Sequence, residues 1–371
     1  GYRTYRMLQG AGLPQISEFQ AGRTFLEGMH WRLEFDPDAG YLTKLVDRAT
    51  GQDLLGGPAN VPLVLSDPSD TWSHGVDSFH DEIGRFAACG SAIVEMGPVR
   101  ARMLIEMEHS GSSLVQDVRL YRDVPRIDVV LTVDYHGEHE FLKLAFPTAL
   151  SETVATYETP YGYAVRPAEG TEEPAQKWAD VTGRLPDGSI AGLAVLNDAK
   201  YGCDICGGEL RLSVLRTPIY CFHEPAKVDP RQRYEFVDQG VQRFTYSLLP
   251  HAGDWREGEV VRQAQQLNHP CLVREEPAHK GRLRAVYSLV EIDVENVVVE
   301  VVKQTEWGRG VVLRAYETHG RETTATLRLR SPRVPATELY FRPCEIKTLI
   351  VSRGRVMETD LLEGLATTVQ G

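Results

Sequence analysis

The sequence predicts an all-β protein in which a large antiparallel sandwich is followed by a small β-sandwich domain. Three observations support this prediction. Apolar and polar residues alternate with a period of two in many short segments, which places one strand face on a core and the other in water. Glycine- and proline-containing turns recur between these segments, and only one segment has a convincing helical pattern. Many strands at regular spacing are typical of an antiparallel sandwich.

The alternation is clearest in four segments along the chain: Arg32–Phe35, Leu114–Leu120, Leu210–Leu215 and Thr324–Leu329. Turn signals separate the predicted strands at Asp36–Gly40, Pro186–Gly188, Cys206–Gly208 and Thr318–Gly320. The helix is predicted at 259–268, where apolar residues fall at helical spacing before Pro270 stops the pattern.

Composition divides the chain after this helix. Residues 270–282 are rich in Pro, Glu and Lys and are interpreted as a linker, and residues 283–353 contain the strands of the small sandwich. Residues 354–371 are predicted to be a tail. At 371 residues the chain exceeds the usual limit of roughly 250–300 residues for one core, which favours one large and one small core.

Charge and cysteine content limit the classes of partner. The net charge is −12 and no dense Lys/Arg cluster occurs, which argues against nucleic acid or an anionic membrane as a partner. No apolar run approaches the ~20 residues that a membrane-spanning helix needs. Six cysteines in 371 residues are too sparse for a disulfide framework. Together with the excess of Arg over Lys, these features favour a reducing bacterial cytoplasm.

Several segments carry a family resemblance. They are LEFDPDAGYLTKLVDRATGQDLL (33–55), DTWSHGVDSF (70–79), LYRDVPRIDVVLTVDYHG (120–137), LNDAKYG (196–202) and DQGVQRFTYSLLPHAGDW (238–255). Because these segments occur in this order and at this spacing, the chain resembles the C-terminal β-sandwich region of glycoside hydrolase family 38, the α-mannosidases. The resemblance implies a galactose-mutarotase-like supersandwich over residues 26–269, preceded by a lead-in segment at 1–25.

The resemblance also implies where the chemistry lies. Family 38 enzymes hydrolyse terminal α-mannosides with retention, using a nucleophilic carboxylate and a divalent metal, usually zinc, in an N-terminal catalytic region. None of those motifs matches this sequence, so we expect no catalytic residue and no cofactor in it. Its expected partners are the N-terminal catalytic region of the same polypeptide and an α-mannoside. Its expected roles are to support that region and to form a wall of the cleft, and we expect the chain to be inactive alone. An exposed apolar surface would favour homo-oligomers.

The loop Asp70–Trp72–His74 is a first candidate for the substrate cleft. In the functional interpretation, Trp72 stacks on a sugar and Asp70 accepts hydroxyl hydrogen bonds, with His74 beside them. In the structural interpretation, the loop buries Trp72 and is capped by Asp70.

A second candidate group lies within twenty residues of sequence and combines aromatic rings with planar hydrogen-bonding groups: Tyr161, Arg166, Gln176, Trp178 and Asp180. Such groups are suited to holding a pyranose. The favoured alternative is a buried polar network at a domain contact.

Cysteine and histidine spacing gives one further, weaker hypothesis. Cys203, Cys206, Cys221 and His223 have a ligand count suited to structural zinc. The default interpretation is free thiols with no metal.

Two other function classes remain. A free-standing mutarotase-like aldose epimerase would need a catalytic His and a carboxylate, from His74 or His136 with Asp70 or Asp180. A non-catalytic carbohydrate-binding or assembly module would need neither.

Overall fold

The computed structural model describes residues 1–7, 10, 18–306, 308, 310–331, 333–364 and 366–368. The rest of the predicted lead-in segment and of the predicted tail lies outside the described residues. Strands dominate the described part, and the predicted all-β class is confirmed. Among the described residues, the one α-helix is α1 (Val260–Asn268), which lies within the segment predicted to be helical.

The strands follow one another in chain order. They are β1 (Tyr2–Arg3), β2 (Gln20–Gly22), β3 (Phe25–Glu27), β4 (Trp31–Phe35), β5 (Leu42–Asp47), β6 (Val61–Ser66), β7 (Glu82–Arg85), β8 (Ala87–Met96), β9 (Arg100–His109), β10 (Ser112–Tyr121), β11 (Ile127–Tyr135), β12 (Glu140–Pro147), β13 (Ser151–Thr159), β14 (Gly162–Arg166), β15 (Glu173–Pro174), β16 (Trp178–Arg184), β17 (Ile190–Asn197), β18 (Gly202–Cys206), β19 (Glu209–Arg216), β20 (Gly240–Ala252), β21 (Val286–Tyr287), β22 (Val290–Ile292), β23 (Val297–Gln304), β24 (Val311–Glu317), β25 (Thr323–Leu329), β26 (Thr337–Phe341), β27 (Ile346–Ser352), β28 (Arg355–Thr359) and β29 (Ala366–Thr368).

Of the described residues, those within 13–158 and 164–270 form a large unit. Its main sheets have the strand orders β14-β13-β16-β17-β20-β11-β10-β9-β8 and β15-β18-β19-β12-β6-β7, and a third sheet has the order β2-β3-β4-β5. Met103 on the nine-stranded sheet and Leu144 on the six-stranded sheet belong to one buried cluster, together with Leu33 of the third sheet. The apolar faces of the three sheets therefore share one core, as the alternating pattern of the sequence predicts.

The helix belongs to the large unit. Val260 and Ala264 are fully buried, and the side chain of Asn268 donates to the backbone oxygen of Asn197 at the end of β17 (2.9 Å). The apolar face of the helix that the sequence pattern predicts is thus the face that packs on the nine-stranded sheet. In the described part of the chain, no helix has the length and apolarity required to span a membrane.

The described residues within 1–12, 159–163 and 271–371 form the small unit. Its sheets have the orders β1-β21, β22-β25-β26 and β23-β24-β27-β28-β29. Leu327, Phe341 and Leu349 lie in its own buried cluster. Residues 354–371, predicted to be a tail, contribute the two strands β28 and β29 to the five-stranded sheet.

Candidate functional site

Strand register brings two loops that are distant in sequence together at one end of the strands of the six-stranded sheet. The central strand β12 pairs on one side with β6 and on the other with β19, so that Ser66 lies opposite Glu140 and Arg216 lies opposite Phe141. The C-terminal ends of β6 and β19 therefore lie at the same end of the sheet, on either side of the start of β12. The loop that follows β6 and the loop that follows β19 are placed side by side for this reason.

Asp70 organises the first of these loops. Its side chain is buried, and Oδ1 accepts hydrogen bonds from the backbone N–H groups of Trp72 (3.0 Å) and His74 (3.1 Å). Its Oδ2 accepts from the backbone N–H of Glu224 (3.1 Å) and contacts His74 Nδ1 at 2.7 Å. A carboxylate has about four acceptor positions, and all four are used within the protein. The structural interpretation of Asp70 is therefore favoured over direct contact with sugar hydroxyls.

The electrostatics of Asp70 follow from these contacts. Burial raises the pKa of its carboxyl, but the hydrogen bonds from His74, Glu224 and Trp72 outweigh burial and hold the pKa well below its usual value. Because the carboxyl is ionised at neutral pH, it can only accept, and His74 Nδ1 must donate.

Two imidazoles and an indole surround this carboxylate on the solvent side. The rings of His74 and His223 lie 4.5 Å apart, and the Trp72 ring lies 5.6 Å from His223 and 6.3 Å from His74. Trp72 is 54% exposed, so the prediction that the loop buries it is wrong. An exposed aromatic face beside polar rings is suited to stacking on an apolar sugar face.

The two loops are held to each other and to the sheet. Thr71 Oγ1 donates to the backbone oxygen of Ile219 (2.7 Å) and accepts from the backbone N–H of Phe222 (3.0 Å). Ser73 and Cys221 adopt left-handed conformations with φ of 50° and 52°, at a cost of roughly 1–3 kcal/mol each for a residue with a side chain. Such conformations persist where the surrounding contacts fix them, which is the case here.

An arginine anchors the base of the loop. Arg216 Nε donates to Asp67 Oδ2 and its Nη2 to Ser69 Oγ, both at 2.8 Å. Asp67 is fully buried, and the guanidinium also lies over the Phe79 ring, 5.4 Å from its centroid. The Arg216 side chain is 23% exposed, and its hydrogen bonds to a buried carboxylate and to a hydroxyl fix the geometry of the loop base.

A cavity of about 620 Å³ opens beside this loop, in the size range of small-molecule sites. Thr71, Ser73 and Asp77 line it from the loop. The six-stranded sheet and its connections contribute Phe79, Phe141, Glu172, Lys200, Tyr201, Ser213, Arg216 and Asp238, together with apolar residues that include Val214, Leu215 and Pro218. Tyr201 is 54% exposed. The lining therefore combines aromatic surface with charged and hydroxyl groups.

A buried ion network lies beneath the cavity. Lys143 has no exposed surface and donates to both Glu172 and Asp204. Arg211 also donates to Asp204 (2.8 Å), and Ser213 Oγ donates to Glu172. The carboxylate of Glu172, a cavity-lining group, is thus held by neighbours on two strands.

The second predicted group does not form a site with this loop. Trp178 is 1% exposed and packs against the Trp255 ring at 5.0 Å. Asp180 is fully buried, accepts from Thr182 Oγ1 and pairs with His251 Nε2, both at 2.7 Å. Asp180 thus lies in a buried polar network, as in the favoured alternative of the sequence analysis, whereas the Trp178 indole N–H is buried without a hydrogen-bond partner among the described residues. Neither side chain is exposed, so their assignment to a cleft wall is not supported.

The other three members of that group are dispersed. Tyr161 belongs to the small unit, where its ring contacts Tyr316 at 5.3 Å. Arg166 donates to the backbone oxygen of Pro174 (2.7 Å), and the backbone oxygen of Gln176 accepts from Asn197 Nδ2 (3.0 Å). These contacts are those of structural residues.

The cysteine hypothesis is not supported either. Cys203 is buried and Cys206 is exposed, because residues three apart on a strand point to opposite faces. Burial also raises the pKa of the Cys203 thiol. Among the residues that the structure describes, the metal-ligating side chains that converge are instead Asp70, His74 and His223. His223 thus has different neighbours from those predicted.

Sequence reasoning missed the groups that the sheet brings to this site from other strands. Lys143 and Glu172 carry no local motif, although a lysine inside the apolar run 141–146 was a usable signal. Glu224 and Asp70 are 154 residues apart. Their contact follows from strand register, which the sequence pattern does not specify.

Two family models match this chain. The C-terminal domain of glycosyl hydrolases family 38 matches residues 26–231, and the C-terminal β-sandwich domain of the same family matches residues 296–340. The fold is therefore that of the sandwich region of a glycoside hydrolase. The chain belongs to glycosyl hydrolase family 38, as the sequence analysis predicts.

Curated relatives are longer than this chain. It is 32% identical over 321 residues to alpha-mannosidase 2C1 of Homo sapiens, covering 81% of this chain and 29% of that protein. It is 25% identical over 305 residues to alpha-mannosidase G of Dictyostelium discoideum, covering 77% of this chain and 26% of that protein. The chain thus spans less than a third of the length of these relatives.

Solved structures share the fold. An alpha-mannosidase from Enterococcus faecalis V583 superposes with a TM-score of 0.73 at 14% identity, covering 90% of this chain and 42% of that one. A second family 38 protein from Enterococcus faecalis gives a TM-score of 0.75 at 15% identity, covering 94% of this chain and 45% of that one. At this identity the likeness concerns the fold alone.

Proposed function

We propose that this chain is the non-catalytic β-sandwich region of a bacterial, cytoplasmic α-mannosidase. In this proposal an N-terminal catalytic region of the same polypeptide holds the nucleophile and the zinc ion, and performs retaining hydrolysis of terminal α-mannosides. The observation that carries the proposal is the coverage: both family models are C-terminal ones, and the match spans only 29% of the human relative.

The cavity and its loop are the part of this region that we assign to the substrate cleft. Trp72 and Tyr201 are each 54% exposed and present rings for sugar stacking. Arg216 and Glu172 offer hydrogen-bonding groups to the cavity. Asp70 positions the loop rather than touching the sugar, because its acceptor positions are filled within the protein.

An uncovered sheet edge supports a packing partner. The strand β8 ends the nine-stranded sheet, and its consecutive residues Ala92 and Ile93, which pair regularly with β9, are both exposed. Neighbouring residues of a regular strand point to opposite faces, so both faces of this edge are uncovered. Long apolar edges are usually covered in native proteins, and we assign this one to the catalytic region. Without that region the same edge would favour self-association.

The epimerase alternative depends on one remaining pair. Asp180 is paired with His251 in the core, and His136 pairs at the surface with Asp134 (3.1 Å). Four His–carboxylate combinations were offered above. Among the described residues, the one of these four pairs that is in contact is His74 with Asp70, at 2.7 Å. Polarimetry of freshly dissolved mannose or galactose with the chain distinguishes this alternative: the proposal predicts mutarotation at the uncatalysed rate.

Calorimetry with mannose and mannobiose tests the assignment to the cleft. We expect weak binding by the chain, lost on Trp72→Ala and retained on Tyr340→Ala, a control whose side chain is 50% exposed in the small unit. Binding unchanged by Trp72→Ala would contradict the role of the loop. Turnover of 4-nitrophenyl α-mannoside by the chain alone would contradict the non-catalytic role.

A further inference from the structure

We propose that Asp70, His74 and His223 form a binding site for a divalent transition metal of the zinc class. One potential ligand atom from each residue lies within 4.8 Å of those of the other two. The three residues come from the two loops that the register of β6, β12 and β19 places side by side.

The ligand atoms follow from the hydrogen bonds. His74 Nδ1 lies 2.7 Å from Asp70 Oδ2, and a metal would take the place of the proton shared by these two atoms, the ring proton moving to Nε2. His223 Nδ1 contacts the backbone oxygen of Glu224, which fixes the proton on Nδ1 and leaves Nε2 as the ligand. An imidazole oriented by a backbone carbonyl is the usual arrangement of metal-binding histidines.

The surrounding contacts hold the carboxylate in place without blocking it. Asp70 Oδ1 is occupied by the backbone N–H groups of Trp72 and His74, and Oδ2 by that of Glu224. These are outer contacts to a ligating carboxylate, which orient it toward the metal. His74 and His223 are both exposed, so the site has an open path for entry and room for water to complete the coordination.

The chemistry of the donor set selects the metal. Imidazole nitrogen suits Zn²⁺, Ni²⁺ and Cu²⁺, whereas Mg²⁺ and Ca²⁺ prefer oxygen ligands. Bonds of about 2.0–2.1 Å to zinc require ligand atoms roughly 3.3 Å apart. Small rotations of two exposed imidazoles achieve that closure, since neither ring is confined by the core.

Titration of the full chain with ZnCl₂ after removal of metal by EDTA tests the site. We expect one equivalent to bind, with MgCl₂ giving no heat. His74→Ala and His223→Ala should each weaken zinc binding by about tenfold or more. His136→Ala is the matched control, since its side chain is 53% exposed against 51% for His74, and should bind zinc normally.

A spectroscopic measurement gives a second readout. Trp72 lies within 6.3 Å of both imidazoles, so one equivalent of Cu²⁺ should quench its fluorescence. The quenching should be smaller in Trp72→Phe than in the wild type. Circular dichroism in EDTA confirms that each variant folds. Absence of zinc binding by the folded wild-type chain, or a zinc affinity of either His74→Ala or His223→Ala equal to that of the wild type, would overturn the proposal. No activity is measured, so the result is independent of the mannosidase assignment.

Discussion

The buried cation beneath the cavity leads to the most quantitative prediction. Replacing Lys143 with methionine keeps most of the side-chain volume but removes a charge that pairs with Glu172 and Asp204 in the core. Removing one partner of a buried ion pair costs about 3–5 kcal/mol, because the other charge is left uncompensated. Asp204 keeps Arg211, and the side chain of Glu172 is 23% exposed. We therefore expect the lower end of the range, about 3 kcal/mol.

Urea and thermal unfolding measure this cost. For a unit of this size, about 3 kcal/mol corresponds to a fall in Tm of roughly 6–12 °C. Near-ultraviolet circular dichroism and tryptophan fluorescence should be followed together, because two units need not unfold in one transition.

A matched surface pair provides the control. Arg184 and Glu152 pair at 2.9 Å with side chains 50% and 74% exposed, and Arg184→Met should cost less than about 1 kcal/mol. If Lys143→Met costs no more than Arg184→Met, the network does not hold a charged Lys143 in the core, and the description of the cavity floor is wrong.

Three further outcomes are expected. The stability that an ionised Asp70 provides is present above its unfolded pKa of about 3.9 and is lost as pH falls through its lowered folded pKa. The difference in Tm between the wild type and Asp70→Asn should therefore shrink below pH 4. A difference in Tm that stays constant would argue against an ionised Asp70. Burial lowers the pKa of His251, but the charge and hydrogen bond of Asp180 outweigh burial and raise it. The stability that the His251–Asp180 pair contributes is thus fully present below about pH 6.5 and is lost as pH rises through the folded pKa of His251. The wild type should therefore show a decline in Tm on the alkaline side that His251→Gln lacks. The same decline in the variant would exclude this pair as its cause. Trp72→Ala should change the unfolding free energy by less than about 0.5 kcal/mol, because the ring is 54% exposed; a larger loss would mean that the ring is structural.

Much of the fold could be predicted because it depends on local patterns. The alternation at Arg32–Phe35 and Leu114–Leu120 corresponds to β4 and β10, and the helical stripe before Pro270 corresponds to α1. Period-two and period-3.6 patterns are set by which faces meet the core, and a single sequence displays them directly.

The site could be predicted only in part. The loop Asp70–His74 was selected because several chemically useful side chains are adjacent in sequence, but its partner His223 was assigned to a cysteine cluster. Which loops meet depends on the register of β12 with β6 and β19, and this register is long-range information. Trp178 and Asp180 were chosen by residue type, which does not distinguish an exposed side chain from a buried one.

Hydrolysis of 4-nitrophenyl α-mannoside by the purified 371-residue chain, with zinc or cobalt added, tests the central claim most directly. An active full-length α-mannosidase at the same molar concentration is the positive control. If the chemistry lies in an N-terminal catalytic region, the chain gives the rate of the buffer blank with either metal. Turnover that copurifies with the chain and is lost on substitution of its own carboxylates, such as Glu172→Gln, would contradict the account and place an acid–base pair within the sandwich itself.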